Sequence, residues 1–554
     1  MGRAASKGRS GLRLPSAGAF AALLIAGLVL TPILAVVWLA FTGQAADWQH
    51  LWSSTLPRYL TNSALMMAGV GAVAALIGTT TAWAIVHLRF PLHGLLSVVL
   101  LAPMAIPAYV AAFALVDVLE YAGPVQSMLR DLFGWQTARD YWFPEIRSRW
   151  AGVLVLGLAL YPYVYLFARD AFEEQGARPT DVARSLGHGP WAVFWRTSLP
   201  LARPGIVAAS AIVMMEVLND FGTMDYFAIQ TLTTGIFTQW LEARNAGGAA
   251  QIATMMMVAV LFLAVTERMS RDRSRFDSGA KGGRAPVRPV NLRGVRSYLV
   301  MALVALPFLL GFAMPVAVLV GLARPGAWLA EGLWRDGLHT LALGGIASVL
   351  TIAGALLLYQ AVRFSGSVRL RWLLPATTIG YATPGAVLAL GILAPLVPIE
   401  HRVADFVQSV TGTDPGLLFT GTGAALVLAY FVRFFAMGQG AVESGLSRVT
   451  PSMDMAARTL GQTRGGVTRR VHIPLIRASL ATAFVMIFVD TVKELPATLM
   501  LRPFDFDTLA TRVYSHASRE DLEAAAPAAL LVTLAGLVPV LILAFGRRRA
   551  SARR

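Results

Sequence analysis

A chain of 554 residues that is 56% hydrophobic and only 14% charged lies outside soluble globular compositions, in which about a quarter of residues are charged. The net charge of +16 comes from arginines gathered in short stretches between apolar runs, which describes a polytopic membrane protein and no nucleic-acid-binding surface. The absence of cysteine excludes disulfides, thiolate metal sites and cysteine nucleophiles.

Arg3, Lys7, Arg9 and Arg13 precede an apolar run at 17–41 that is too long for a cleaved leader and reads as a retained first helix. A helix rising about 1.5 Å per residue needs roughly 18 or more apolar residues to cross about 30 Å of hydrocarbon. Twelve runs qualify, near 17–41, 61–86, 95–119, 150–168, 205–223, 249–266, 297–322, 338–362, 372–396, 417–437, 477–497 and 524–545. With the N-terminus in the cytoplasm, 34 of the 47 Lys and Arg residues fall inside and 12 outside, leaving Lys493 within a span. The expectation is an all-α inner-membrane protein with both termini cytoplasmic.

After the third run, the segment from Tyr121 to Trp150 carries Trp135, Tyr141, Trp142 and Phe143, suited either to an interfacial aromatic belt or to a surface that receives another protein. A polar stretch follows the fourth run. There Pro179 suits a helix start, Asp181 favours the positive end of its dipole, and Gly187 supplies the left-handed residue that ends it. A second short helix is expected to stop at Pro200. The fifth run carries Glu216, Asn219 and Asp220, with Asp225 at its end.

From 267 to 296 the chain is rich in Arg, Gly, Ser and Pro without apolar periodicity, a cytoplasmic linker between halves at 1–266 and 297–554. The second half repeats the first. Pro384-Gly-Ala-Val387 answers Pro107-Ala-Tyr-Val110 at an offset of 277 residues, and Asp490-Thr-Val-Lys-Glu494 answers Glu216-Val-Leu-Asn-Asp220 at 274. Met455-Ala-Ala-Arg-Thr-Leu-Gly461 with Ile473-Pro474 likewise answers Asp181-Val-Ala-Arg-Ser-Leu-Gly187 with Leu199-Pro200. Each half has six runs and starts inside, so the repeat is parallel. Val182, Ala183 and Leu186, like Ala456, Ala457 and Leu460, form a small apolar stripe suited to a groove, with Arg184 and Arg458 available to carboxylates.

The intramembrane charges Glu216, Asp220, Asp490, Lys493 and Glu494 either line a hydrated path or pair to hold the halves together. Carboxylates, with Tyr109 and Tyr226 as transient contributors, suit a hard cation. His87, His188 and His472 are expected to be solvated in cytoplasmic loops, and no histidine spacing makes a metal site. No resident metal or cofactor is expected. The three lysines, Lys7, Lys281 and Lys493, fit no nucleotide-binding P-loop, so ATP hydrolysis must come from another chain.

The two polar stretches resemble the EAA loop of importer permeases of the ATP-binding cassette (ABC) class, in which Glu-Ala-Ala, three residues, Gly and nine residues lead to an apolar residue, one residue and Leu-Pro. Asp181, Val182, Ala183, Gly187, Thr197, Leu199 and Pro200 stand at those positions in the first copy. Met455, Ala456, Ala457, Gly461, Val471, Ile473 and Pro474 stand there in the second, and neither copy has the glutamate. The resemblance extends over nearly the whole chain and is nearest to fused ferric-iron permeases, carried by Pro107-Ala-Tyr-Val110, Tyr141-Trp-Phe-Pro-Glu-Ile146, Leu160-Tyr-Pro-Tyr-Val164, Asp220-Phe-Gly-Thr-Met-Asp-Tyr226 and Thr233-Thr-Gly-Ile236. It implies a type I permease fold of twelve spans with pseudo-twofold symmetry and alternating access. Coupling loops would lie near 174–203 and 448–477, with Asp181, Ala183, Arg184, Gly187, Pro200, Ala456, Ala457, Arg458, Gly461 and Pro474 as coupling residues. It also implies two copies of a cytoplasmic ATPase subunit, an extracytoplasmic binding protein and a pathway past the charges of the fifth and eleventh spans. Fused permeases for thiamine, phosphonate-type compounds or polyamines share this architecture. An ion-coupled secondary transporter with parallel six-helix repeats is a more distant alternative, and no acid, base and nucleophile constellation points to an enzyme.

Overall fold

The computed structural model of the chain describes residues 17–43, 48–176, 178–277, 287, 289–365, 367–378, 380, 383–447 and 449–552. The basic N-terminal arm and the linker segment 278–286 lie outside them. Among the described residues, twelve helices are long and apolar enough to cross a membrane: Gly18–Thr42, Leu56–His87, Ala108–Phe133, Arg149–Gln175, Trp191–Asn219, Ala246–Ser270, Val295–Leu322, Leu333–Ser365, Gly385–Thr411, Ala424–Leu446, Arg464–Val492 and Leu522–Ile542. They are called the first to twelfth spans below.

The apolar runs at 95–119 and 372–396 are not single helices. The first comprises a helix at His93–Val99, a 3-10 turn at Ala102–Ala105 and a new helix from Ala108. The second comprises short helices at Val368–Arg371 and Leu373–Thr377 before the helix from Gly385. Both breaks end on an extended proline, Pro107 (φ −61°, ψ 138°) and Pro384 (φ −59°, ψ 149°). Proline removes a backbone donor and biases the residue before it away from helical geometry, so an apolar run containing one need not stay helical. The third and ninth crossings are therefore displaced toward the C-terminus.

A backbone that leaves its helix within a membrane must recover its hydrogen bonds from the protein. Tyr165 Oη donates to the Ser97 carbonyl (3.1 Å), and Gln439 Nε2 donates to the Leu374 carbonyl (2.8 Å). These contacts occupy matching places in the two halves, and other pairs do the same. Ser63 Oγ accepts from Leu232 N–H (3.0 Å) as Thr340 Oγ1 accepts from Leu509 N–H (2.8 Å). Asn62 Nδ2 donates to the Gln230 carbonyl, and the His339 ring contacts that of Asp507. Capping boxes at Thr231/Thr234 and Thr508/Thr511 start equivalent helices.

Small residues let spans approach closely where apolar attraction between helices is weak. A Cβ on Gly78 would lie 2.7 Å from Tyr165 N, at the contact of the second and fourth spans, and one on Gly354 2.8 Å from the Phe431 ring, between the eighth and tenth. The first span of each half also reaches the other half. Gly391 of the ninth span sits with its Cβ position 2.1 Å from the Pro32 carbonyl of the first, and Gly311 of the seventh lies against Leu158 of the fourth. The described end of the linker is stitched to the first half, where Val290–Asn291 pairs in parallel with Leu88–Arg89.

Gly391→Ala is expected to destabilise the protein by about 1–3 kcal/mol through overpacking against backbone, read as a lower denaturation midpoint in detergent. Gly345→Ala, whose Cβ position is in open space, is expected to leave the midpoint unchanged.

Candidate functional site

The two polar stretches fold alike. Helices Arg178–Ser185 and Pro451–Thr459 each run into a left-handed glycine, Gly187 at φ +83° and Gly461 at φ +81°. Gly187 N–H bonds to Arg184 O and His188 N–H to Ala183 O, while Gly461 N–H bonds to Arg458 O and Gln462 N–H to Ala457 O. Both ends are therefore the Schellman arrangement, whose left-handed residue is costly without glycine.

The helices after these glycines do not stop at the prolines. Phe194–Ser198 and Thr468–His472 are single π-turns that lead directly into Leu199–Asn219 and Ile473–Val492. A widened turn absorbs the missing proline N–H and the crowding of its ring, so Pro200 and Pro474 bend a continuous element. Motion of either loop is thus delivered into the fifth or eleventh span.

The predicted apolar stripe divides. Ala183 and Ala457 are only 6% and 8% exposed and face the protein, whereas Leu186 and Leu460 are 73% and 81% exposed. Val182, Ala456, Arg184, Arg458 and Asp181 are also exposed. The free surface of each loop is a leucine ridge beside an arginine.

His87 and His472 are not solvated, being 6% and 0% exposed. His87 stacks on Trp83 of its own span and meets the edge of Phe172 in the last turns of the helix Arg149–Gln175. Asp454 likewise does more than face a helix dipole: its carboxylate accepts from Arg363 Nε (2.9 Å) and contacts His472 Nε2 (2.7 Å).

Within the membrane, both charged segments lie at helix ends. The fifth span ends at Asn219 and the eleventh at Val492, so Asp220 and Glu494 belong to breaks that the apolar runs concealed. Asp220 Oδ1 accepts from Thr223 N–H (2.8 Å), starting the helix at Gly222–Tyr226. Glu494 accepts from Ala497 N–H and Thr498 N–H (both 3.1 Å), starting Pro496–Leu501. A carboxylate satisfies otherwise orphaned donors and favours the positive helix end. The two breaks touch, since a Cβ on Gly222 would lie 2.9 Å from Leu495 Cδ2.

Glu494 also pairs with Arg433 at 2.9 Å. Arg433 was counted among cytoplasmic charges but lies inside the tenth span, Ala424–Leu446. Its position in an apolar run is the signal that sequence reading passed over. Lys493 Nζ meets Asp490 Oδ1 at 2.9 Å. Glu216, Asp490, Lys493, Arg433 and the Tyr163 phenol of the fourth span share one electrostatic neighbourhood. Three carboxyl groups, Glu216, Asp490 and Glu494, therefore stand with two cations, Asp220 lies beside Glu216, and both cations come from the second half. Asn219 Oδ1 is buried with no hydrogen-bond partner among the described residues, and no cluster of three or more metal-ligating side chains occurs among them.

At the face opposite the loops, the halves are joined. Arg147 Nη2 pairs with Glu520 (2.9 Å) while its Nε pairs with Glu120 (3.0 Å), and Tyr514 Oη donates to Asp225 Oδ2 (2.6 Å). The Arg147 guanidinium lies 5.3 Å from the Tyr226 ring centre. Burial pushes the Tyr226 phenol up to about 12, so without a metal to displace its proton it is neutral near pH 7. Tyr109 Oη donates to the Ala510 carbonyl (3.4 Å). In the aromatic segment, Trp135 stacks on Phe133 and Tyr141, and Trp142 stands 86% exposed.

Paired loops feeding two spans, with inter-half contacts at the opposite face, are the arrangement of a two-half membrane permease. Residues 71–273 match the family model of the binding-protein-dependent transport system inner membrane component, and the chain belongs to that family as a fused ABC importer permease of the inner membrane. It is similar to the Fe(3+)-transport system permease protein FbpB 2 of Haemophilus influenzae, 25% identical over 499 residues covering 89% of this chain and 90% of the relative. The molybdenum transport system permease protein ModB of Escherichia coli is 28% identical over 208 residues, covering 36% of this chain and 87% of ModB. That of Azotobacter vinelandii is 30% identical over 162 residues, 29% of this chain and 68% of ModB.

Arg433→Met is expected to cost about 3–5 kcal/mol by stranding the buried Glu494 carboxylate, and Arg433→Met with Glu494→Gln to recover much of it. Equilibrium denaturation in detergent reads both.

Proposed function

We propose that this chain moves ferric iron, delivered by an extracytoplasmic binding protein, into the cytoplasm by alternating access. Two copies of a cytoplasmic ATPase subunit seat on the loops at 174–203 and 448–477, gripping Leu186 with Arg184 and Leu460 with Arg458. The halves at 1–266 and 297–554 then move about the linker, and both termini are cytoplasmic. Closure of the ATPases pulls the loops together and opens the opposite face, parting Arg147 from Glu520 and Tyr514 from Asp225. Hydrolysis resets the molecule.

The observation that carries the driven mechanism is the repeated glycine-ended loop helix with a π-turn into a charged span. A secondary transporter has no need of such matched levers. The cargo reading is supported by the FbpB relative over 89% of the chain and by the excess of carboxyl groups over cations around Glu216, Asn219, Asp220, Asp490, Lys493 and Glu494, which suits a hard cation. The same surplus disfavours an oxyanion of the molybdate kind.

Leu186→Glu with Leu460→Glu is expected to abolish retention of the ATPase on the purified permease, because a carboxylate cannot be buried in an apolar groove without a partner. In proteoliposomes with the ATPase, the Fe3+-loaded binding protein is expected to stimulate ATP hydrolysis and iron accumulation. Stimulation by a thiamine-, phosphonate- or polyamine-loaded protein instead would replace the cargo, and accumulation without nucleotide would replace the mechanism.

A further inference from the structure

The two loops share a backbone but are fastened to their spans by different chemistry. In the second, Gln360 Nε2 donates to His472 Nδ1 (2.5 Å), which leaves the ring proton on Nε2 to donate to Asp454 Oδ1 (2.7 Å). Arg363 Nε donates to Asp454 Oδ2 (2.9 Å), and its Nη2 to the Val449 carbonyl (3.0 Å). His472 is fully buried, and the Asp454 and Arg363 side chains are 14% and 18% exposed. One network thus joins the loop helix (Asp454), the π-turn entering the eleventh span (His472) and the end of the eighth span (Gln360, Arg363).

The register set by Ser63 and Thr340 places Trp83, Val86 and His87 where the second half has Gln360, Arg363 and Phe364. The offset between the loops places Thr180 and Ser198 where it has Asp454 and His472. At the first loop's π-turn the Trp83 ring lies 5.3 Å from that of Phe194, and Gln175 Nε2 donates to the Ser198 carbonyl (3.0 Å). Ser198 is buried, and its hydroxyl has no partner among the described residues. Ring contacts tolerate sliding, whereas buried hydrogen bonds and ion pairs are directional and their loss strands polar groups, although Gln360 Oε1 itself has no partner among the described residues. We propose that Asp454, held by His472, Arg363 and Gln360, is a strut that makes the second loop helix rigid with the eighth and eleventh spans, a fastening without a counterpart among the described residues of the first loop helix, so that two identical ATPase subunits drive the halves unequally. Asp454 is a positioning residue. The inequality of drive rests on the loops being ATPase seats, whereas the rigidity does not.

Amide hydrogen exchange on the permease alone tests the rigidity without cargo or ATPase. In the wild type, residues 451–461 are expected to exchange roughly tenfold more slowly than 178–187, and His472→Ser, which installs the first copy's residue, to erase the difference. Equal exchange in the two wild-type loops overturns the strut. In proteoliposomes with the ATPase and Fe3+-loaded binding protein, Asp454→Asn is expected to lower iron accumulated per ATP roughly fivefold or more while ATPase retention is unchanged, and Ser198→Ala to leave that ratio alone. An unchanged ratio in Asp454→Asn overturns the proposal, and so does loss of ATPase retention, which would make Asp454 a docking contact. Because the chain has no native cysteine, Arg363→Cys with Asp454→Cys can be bridged reversibly by a short bis-methanethiosulfonate. The reduced pair is expected to be uncoupled and the bridged pair to regain coupling; a bridged pair that stays uncoupled shows that the contact must open, which sinks the strut.

Discussion

Backbone that leaves its helix inside a membrane has no water to turn to, so every donor released there must be met by the protein. In this chain the donors at two of the interruptions are met by carboxylates, Asp220 at the start of Gly222–Tyr226 and Glu494 at the start of Pro496–Leu501. Much follows from that solution. It places acidic groups from both halves where the breaks touch, calls for Arg433 beside Glu494, and assembles Glu216, Asp490 and Lys493 into the same neighbourhood. Groups that complete the fold thereby also give the interface between the halves its acidic character, so capping and pathway need not be separate roles.

The two halves share backbone contacts at a fixed offset and differ in side chains. Hydrogen bonds that fix register recur almost atom for atom, as with Ser63 and Thr340. The carboxylates recur, but the intramembrane cations do not: Arg433 and Lys493 belong to the second half, and Ala159 and Asn219 stand at the corresponding offset in the first. Elsewhere a different pair fills the same gap. A Cβ on Gly235 would lie 2.6 Å from the Tyr59 ring, and at the equivalent place in the second half Arg512 pairs with Asp336 at 2.9 Å. The two halves thus share a set of backbone contacts while differing in the side chains around them, an option that fusion into one polypeptide keeps open.

Force applied at the loops has a continuous route. Each loop helix turns at a left-handed glycine, passes through a π-turn and enters a span that ends at a carboxylate-capped break. The first span of each half lies across the other half, with Gly391 against Pro32 and Gly311 against Leu158. Rotation of one half therefore carries a helix of its neighbour.

Local pattern alone determined the class, the twelve crossings, the repeat and the loops, because apolar run length, Gly-Pro punctuation and a fixed offset are properties of neighbouring residues. The two ends of the motif, Gly187 and Pro200 or Gly461 and Pro474, were legible because left-handed and donor-lacking positions admit few residue types. Only the tertiary structure decided that Pro107 and Pro384 end interruptions, that Ala183 and Ala457 face inward, and that His87 and His472 are buried. It alone brought Arg433 to Glu494 and Arg363 to Asp454, partners 61 and 91 residues apart. The reason is the environment: in hydrocarbon a charge or a freed backbone group is assigned by whichever distant side chain can satisfy it, and no spacing along the chain encodes that choice.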